Sequence, residues 1–159
     1  MVREVRKCHS RNDKTSFCVI DSQRVKNTDS AQEKGYDGAK KITGIKRPIA
    51  VDSQGLPHAI YITKVDVRKR KAAIEMINQH QENLSQVKHI LVDGGYRGEK
   101  FEQEVKKTLQ AHVQVAKRNE RHKFVLLPKR WIVERSFAWL NKCRPLWKNT
   151  LIPLYIWLY

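Results

Sequence analysis

The stretch HILVDGG, residues 89–95, decides the fold class of this chain, because a histidine and three apolar residues lead directly into an acid and two glycines. A short apolar run bounded by turn residues is typical of a buried β-strand. The two glycines permit a sharp turn directly after Asp93. The pattern therefore predicts a buried strand at residues 89–92 that ends in a polar site.

The same pattern occurs earlier in the chain, in the stretch FCVID at residues 17–21. Its apolar, partly β-branched residues predict a second buried strand, which we expect to stop at Asp21. Carboxylates that end buried strands are held close together and rigid, which suits a hard divalent cation such as Mg²⁺. Asp21 and Asp93 are therefore candidate metal ligands.

The remaining patterns predict an α/β domain with a mixed sheet and helices packed on its faces. Residues 46–52 and 58–64 flank a Gly/Pro turn and are predicted to form a hairpin, whereas residues 22–44 are predicted to form a loop or a mobile basic hairpin. Three helices and one further strand are expected, the helices at residues 69–83, 99–110 and 128–143 and the strand at residues 112–116.

A third acid, Glu134, lies in the last predicted helix. Val133, Phe137 and Leu140 form an apolar stripe at helical spacing, and Glu134 sits beside that stripe. A carboxylate at the edge of a packed face is expected to be partly buried, and it then needs a partner or a metal ion to offset its desolvation. Glu134 is therefore the candidate third ligand.

Each of the three acids also has a simpler interpretation. An Asp before Gly-Gly is more often a turn residue than a ligand, and Asp21 before Ser22 is compatible with an Asx-turn. Glu134 is compatible with an ordinary solvated helical charge. The order of the three acids, two at strand ends and one on a later helix, is a stronger indication than any single one of them.

The charge of the chain indicates a polyanionic partner. Lys and Arg number 32 against 16 acids, giving a formal net charge of +16. The basic residues are spread along the chain and do not form one face of a long amphipathic helix, so nucleic acid is favoured over a membrane surface. The interleaved Trp131, Trp139 and Trp147 are compatible with base stacking, although Trp139 is expected to lie in the core.

Composition also bears on the cellular compartment. The three cysteines, Cys8, Cys18 and Cys143, include no CxxC pair, so we expect reduced thiols rather than a zinc ribbon or a disulfide framework. The N-terminal residues contain no apolar stretch, and the C-terminal LIPLYIWLY is too short to span a membrane. We therefore expect a cytoplasmic, nucleoid-associated protein.

His89 and His112 have no partner at ligand spacing and are expected to be structural.

Several segments, which extend from about residue 17 to residue 148, look like one protein family. They are VIDSQRVK at 19–26, GYDGAKK at 35–41 with residues 44–52, VDGGYRG at 92–98 and WIVERSFAWL at 131–140. Together they resemble the DDE transposases of bacterial insertion sequences, in the insertion-sequence-five group. The resemblance implies an RNase H-like catalytic domain at residues 17–148 that uses Mg²⁺ or Mn²⁺, with Asp21, Asp93 and Glu134 as its metal-binding catalytic residues. A basic lead-in at residues 1–16 and an atypical tail at residues 149–159 flank this domain.

The resemblance also implies DNA contacts on the late helix. Relatives carry an Arg four residues before the Glu, which Arg130 matches, and a Lys seven residues after it, where this chain has Asn141 and then Lys142. A one-residue step rotates a side chain by about 100° on a helix, which makes Lys142 an imperfect replacement. Leu127 stands where relatives have Tyr. Lys26, Lys40 and Lys41 are the other expected phosphate-binding residues.

The implied partners are DNA, both element ends and target, and a second copy of the chain, because relatives join two DNA ends at once. The chain is expected to begin at the catalytic core, without the N-terminal DNA-binding region of full transposases. Two alternatives remain open at this point. If the chain is not an active transposase core, it is either an inactive DNA-binding remnant of a transposase or a stand-alone RNase H-like nuclease.

Overall fold

The computed structural model describes residues 2–27, 35–38, 41–116 and 130–143. Five strands follow a first helix, two helices come next, and strands and helices alternate after them. In chain order the elements are α1 Val2–Cys8, β1 Phe17–Lys26, β2 Gly35–Asp37, β3 Ile42–Val51, β4 Pro57–Ile60, β5 Thr63–Lys64, α2 Lys69–Gln79, α3 Gln81–Leu84, β6 His89–Val92, a 3₁₀ turn Gly94–Tyr96, α4 Glu99–Leu109, β7 His112–Val115 and α5 Arg130–Lys142.

One mixed sheet organises the described part of the chain. Its main path runs β2-β3-β1-β6-β7, and β4 and β5 also pair with β3. β1 is antiparallel to β3 and parallel to β6, and β6 is parallel to β7. The predicted α/β class with a mixed sheet and flanking helices is confirmed. The hairpin predicted around residues 53–57 is present as the antiparallel pair β3 and β4.

β1 is longer than the sequence pattern predicts, because its two neighbours stop at different points. β6 pairs only with Phe17–Ile20, whereas β3 pairs with β1 as far as Lys26. The expectation that the strand stops at Asp21 is therefore wrong, since β3 satisfies the backbone of this acid and of the residues after it. Asp21 marks the place where the parallel partner ends and one side of the strand opens.

The prediction of a loop or a mobile basic hairpin at residues 22–44 also needs correction, because part of this segment belongs to the sheet. Its first residues continue β1, and Gly35–Asp37 form β2, which pairs with the beginning of β3. Arg24 on β1 forms an ion pair with Asp37 on β2, with Arg24 Nε 2.9 Å from Asp37 Oδ2. Residues 28–34 and 39–40 lie outside the described residues.

The side chains of β1 alternate between two apolar cores, one on each face of the sheet. Cys18 and Ile20 face a core that includes residues of α2 and α4, namely Ala73, Met76, Ile77, Phe101 and Val105. Val19 faces a second core with residues of β3, β6 and α5, namely Ile49, Val51, Leu91, Ile132, Val133 and Phe137. This period of two places α5 on the same face of the sheet as the odd-numbered residues of β1.

The predicted helices are present at the expected positions, but their first and last residues differ from the prediction. The helix expected at 69–83 is divided into α2 and α3 at His80, and the later helices are α4 and α5. Pro128, the expected start of the last helix, lies outside the described residues. Within the part of the chain that the structure describes, no helix has the length and apolar character that crossing a membrane requires. The three cysteines are free, and Cys18 is buried.

The basic lead-in contains a short helix that is tied to the domain through a buried charge network. Arg6 on α1 is buried and forms an ion pair with Asp52, which is fully buried and also accepts a contact from His58 Nε2 at 3.3 Å. Burial alone raises the pKa of the Asp52 carboxyl, but hydrogen bonds from His58 and from the Gln54 and Leu56 amides outweigh burial and lower the pKa to about 2. The carboxylate is therefore charged in the folded protein.

Replacement of Asp52 by Asn is expected to lower the free energy of unfolding by about 3–5 kcal/mol at neutral pH, because it leaves Arg6 buried without a counter-charge. Because the pKa of Asp52 is about 2 in the folded protein and 3.8 in the unfolded chain, the charged carboxylate stabilises the fold fully above pH 3.8. This stabilisation is lost as the pH falls from 3.8 towards about 2. The gap between wild type and Asp52→Asn in urea unfolding should narrow over that window.

The control is Asp13→Asn, which removes an exposed ion pair with Lys7 and is expected to change the unfolding free energy by less than about 1 kcal/mol. A gap for Asp52→Asn that is equally small, or that does not narrow with falling pH, would contradict the buried network.

Candidate active site

Asp21 and Asp93 lie next to each other at the place where β1 and β6 separate. One side chain bridges them: Lys69 Nζ is 3.4 Å from Asp21 Oδ1 and 3.1 Å from Asp93 Oδ2. The exposed fractions of the two carboxylate side chains are 14% and 16%, so both are largely buried yet open to solvent. The two strand-borne acids are therefore brought together, as predicted.

Backbone amides fix the orientation of both carboxylates. Asp21 Oδ1 accepts a hydrogen bond from the Ser22 amide at 2.7 Å. Asp93 Oδ1 accepts one from the Gly95 amide at 2.9 Å and thereby caps the 3₁₀ turn. A Cβ on Gly95 would lie 3.0 Å from Asp93 Oδ1, which is tighter than an ordinary Cβ contact. Asp93 is thus a turn residue, as the simpler interpretation has it, while its Oδ2 contacts Lys69 Nζ, which also contacts Asp21.

Tyr96 forms the floor beneath the two acids. Its side chain is fully buried and packs against Phe101, with ring centroids 5.5 Å apart. Burial raises the pKa of its hydroxyl, and the charges of Asp21 and Asp93 act in the same direction against a lowering contribution from Ser22. Within the described residues neither the Tyr96 nor the Ser22 hydroxyl has a hydrogen bond of normal geometry. Tyr96 therefore packs into the core beside the turn.

A small cavity connects the two acids to α5. It is lined by Val19, Ile20, Asp21, Leu91, Val92, Asp93, Ala116 and Val133. Val133 is the residue directly before Glu134, so the helix that bears the third acid packs beside the pair.

Glu134 itself is exposed, and the expectation that it is partly buried is wrong. The inward stripe of α5 is correctly predicted as Val133, Phe137 and Leu140, but Glu134 is rotated by about 100° from Val133. Among the described residues, no three His, Cys, Asp or Glu side chains are close enough together to hold a metal ion. The structure therefore unites Asp21 with Asp93 and leaves Glu134 outside the pair.

The edge of α5 that carries Glu134 nevertheless faces β1. Asn141 lies seven residues after Glu134, which returns a helix to within about 20° of the same direction. Asn141 Oδ1 accepts a hydrogen bond from Gln23 Nε2 at 3.1 Å. Gln23 is two residues beyond Asp21 and so lies on the same face of the sheet. Glu134 and Asp21 therefore belong to facing surfaces of α5 and β1.

A family model described as the transposase DDE domain matches residues 12–151. The chain belongs to the transposase DDE domain family. No curated protein matches it in sequence.

Two solved structures support the fold of this transposase domain. One is a chain of the simian T-cell lymphotropic virus intasome in complex with the PP2A regulatory subunit B56 gamma, with a TM-score of 0.55 and 14% identity over 81% of this chain. The domain spans 39% of the length of that relative. The other is the HTLV-2 integrase catalytic core domain in complex with magnesium, with a TM-score of 0.50 and 15% identity over 90% of this chain and 79% of the other. The predicted RNase H-like fold is confirmed.

The predicted DNA-binding residues of the transposase domain are only partly described. Lys26, Lys41 and Lys142 are exposed. Arg130 begins α5, but its side chain, like the whole of Lys40, lies outside the described residues. Asn141 faces β1 whereas Lys142 is exposed, so the one-residue step does place the two side chains differently.

The tryptophans of α5 correct another prediction. The prediction that Trp139 lies in the core is wrong, because Trp131 and Trp139 each have an exposed fraction of 46%. Arg135 lies between them, with its guanidinium carbon 4.6 and 4.8 Å from the two ring centroids. The aromatic residues occupy the outer face because Ile132, Val133 and Phe137 fill the inner one. Trp147 lies outside the described residues.

His89 and His112 form a surface pair on neighbouring strands. They are register partners of β6 and β7, and their rings stack with centroids 6.1 Å apart. This contact gives the two side chains a structural role.

The sequence interpretation missed Lys69, the residue that joins the two acids. A signal for it exists in the stretch RKRK at residues 68–71, where four basic residues begin a helix whose first turn contains no acid. Basic residues at a helix N-terminus oppose the helix dipole, and such local conflicts often mark functional sites.

The position of α5 depends on the turn between β3 and β4. Ser136 Oγ donates a hydrogen bond to the Gly55 carbonyl at 2.8 Å, and Arg135 donates one to the Gln54 carbonyl at 2.7 Å. Gly55 has a φ of +85°, and a Cβ there would lie 2.8 Å from Ser136 Oγ. Only glycine fits this close approach without strain.

Gly55→Ala is therefore expected to lower the free energy of unfolding by about 1–3 kcal/mol, from backbone strain and from displacement of α5. Gly94→Ala is the matched control, because a Cβ there meets nothing within 4 Å. Chemical denaturation of both variants measures the difference. Equal losses of stability would show that α5 does not depend on this contact.

Proposed function

We propose that this domain is the catalytic core of an insertion-sequence transposase of the insertion-sequence-five group, which cleaves DNA at the ends of the element and joins them to a target in the bacterial cytoplasm. The observation that carries the proposal is the convergence of Asp21 and Asp93 on one cationic group at the open edge of the sheet. The membership of the chain in the transposase DDE domain family and its net charge of +16 support a DNA substrate.

The donor set of the two acids fits a divalent cation. Mg²⁺ and Mn²⁺ prefer oxygen ligands, and two carboxylates fixed by backbone amides offer such ligands with little reorganisation. The Lys69 ammonium between them shows that positive charge is accommodated at this point. When bound, two divalent cations would activate the attacking oxygen and stabilise the leaving oxygen of an in-line displacement.

Glu134 is the third proposed ligand, although it lies outside the pair in this structure. Its neighbour Val133 lines the cavity that Asp21 and Asp93 share. Glu134 is exposed on the helix edge that faces β1, so its carboxylate can turn towards the acids without unpacking the Val133 stripe. We therefore assign Asp21, Asp93 and Glu134 as the catalytic, metal-binding residues.

The basic residues would hold DNA along the same region. Lys26 ends β1 opposite Gly44, and Lys41 directly precedes β3, so both lie at one end of the β1–β3 pair. Together with Lys40, Arg130 and Lys142 they are proposed to neutralise phosphates. Each lost contact should reduce the salt dependence of DNA binding by about one unit of slope.

The proposed reaction has two steps at one site. In the first, water forms a bond to an end phosphate and the phosphate–O3′ bond breaks, which frees a 3′-hydroxyl. In the second, that hydroxyl attacks a target phosphate and displaces the target's own 3′-oxygen. The carboxylates of Asp21 and Asp93 keep the same positions for both steps, and no covalent protein intermediate is needed. A homodimer would present two such sites to the two element ends.

The direct test uses a duplex that contains the inverted repeat flanking the coding segment, incubated with the full chain and Mg²⁺. Wild type should cleave the duplex at the repeat boundary, and Asp93→Ala should reduce the rate by at least about a hundredfold, because it removes a ligand of the reacting site. Gel analysis of end-labelled DNA measures both. Asp66→Ala, an exposed acid outside the site, is the control.

The same assay separates the proposal from its alternatives. DNA binding without metal-dependent cleavage in any variant would contradict the enzyme and favour an inactive transposase remnant, for which the separate position of Glu134 is the supporting observation. Nicking without strand joining would favour a stand-alone nuclease.

The assignment of Glu134 has its own test. Glu134→Gln should reduce the cleavage rate by at least about a hundredfold, as Asp93→Ala does, while it leaves the free energy of unfolding within about 0.5 kcal/mol of wild type because the side chain is exposed. Glu102→Gln on α4 is a matched exposed helical acid that should leave cleavage unchanged. If Glu134→Gln retains wild-type cleavage, a different group completes the site.

A further inference from the structure

The side chain of Lys69 is more buried than those of its basic neighbours. Arg68, Arg70 and Lys71 are exposed, whereas the exposed fraction of the Lys69 side chain is 26%. The first turn of α2 contains no acid, and no side chain caps its first residue. Four adjacent positive charges at a helix N-terminus are electrostatically unfavourable, so an inward-facing lysine there needs a compensating interaction. Asp21 and Asp93 supply it.

We propose that Lys69 is a built-in counter-ion that occupies the cation position between Asp21 and Asp93 and must leave before a divalent metal binds. This inference rests on the proposed function, because it assumes that the two acids are metal ligands. The ammonium contacts Asp21 Oδ1 and Asp93 Oδ2, which are oxygens of the two carboxylates that would hold the metal. Because an ammonium and a divalent cation compete for the same negative charge, Lys69 has to move away for the metal to bind.

The bridged position has further support from the floor of the site. Lys69 Nζ lies 5.6 Å from the centroid of the Tyr96 ring, within the range of a cation–π contact. Without Lys69 the two carboxylates would face each other with no intervening positive charge. Lys69 therefore holds the pair together in the metal-free protein.

This arrangement has a consequence for metal affinity. When only a fraction of molecules is competent to bind, the apparent affinity falls by that fraction. The Lys69 bridge thus weakens metal binding, and a metal that binds releases a long, flexible ammonium beside Arg68 and Arg70.

The experiment measures Mn²⁺ affinity by electron paramagnetic resonance of free Mn²⁺, with the full chain and without DNA. Lys69→Met should bind Mn²⁺ about tenfold or more tightly than wild type, because a charge within 4 Å is removed. Lys71→Met removes the same charge from an exposed position two residues away and should bind nearly as wild type. Asp21→Asn should abolish the tight binding in the Lys69→Met background.

Tight binding that requires Asp21 but is equal in wild type and Lys69→Met would overturn the counter-ion role alone. No Asp21-dependent binding in any variant would overturn the metal site, and with it both this inference and the proposed function.

A second measurement needs no variant. Saturating Mn²⁺ should increase the rate at which acetic anhydride labels Lys69 relative to Lys71 in wild type, as followed by peptide mass spectrometry, because the displaced amine becomes accessible. A labelling ratio that is unchanged or lower would overturn the proposal.

Discussion

The parallel pairing of β1 with β6 is the constraint on which the rest of the site depends. The pairing stops at Ile20 and Val92, so the next residue on each strand is an acid and the two acids emerge side by side. Residues separated by more than seventy positions in sequence thereby share one cation within 3.4 Å. The two acids come together where the parallel pairing ends. The turn after β6 then orients Asp93, and Lys69 on α2 contacts both carboxylates.

The two strands that pair with β1 position Asp21 in different ways. β3 continues along β1 to Lys26 and keeps Asp21 in a rigid ladder, while the early end of β6 leaves room beside the carboxylates. α5 then packs over Val19 and Leu91 and is held at the other side by Ser136 and the turn at Gly55. This packing of α5 places the helix edge that carries Glu134 on the side of β1.

The sequence predicts the fold class, the apolar strands and both strand-borne acids, because short apolar runs ending in acids carry local information. It does not predict that β1 continues beyond Asp21, since that depends on a distant partner, β3. Periodicity identifies the inner stripe of α5 but not the outward position of Trp139, whose environment is set by Arg135 and Trp131. The sequence does not predict the position of Lys69, because the residues of a charge run are usually solvated and the inward direction of this one depends on the tertiary fold.

The proposed divalent-cation site of Asp21, Asp93 and Glu134 can be located by anomalous scattering from crystals grown with Mn²⁺. We expect an anomalous peak beside the Asp21 and Asp93 carboxylates, with Lys69 Nζ withdrawn and the Glu134 carboxylate turned towards the metal. Occupied Mn²⁺ sites elsewhere on the protein, with the Lys69 bridge still intact, would contradict it.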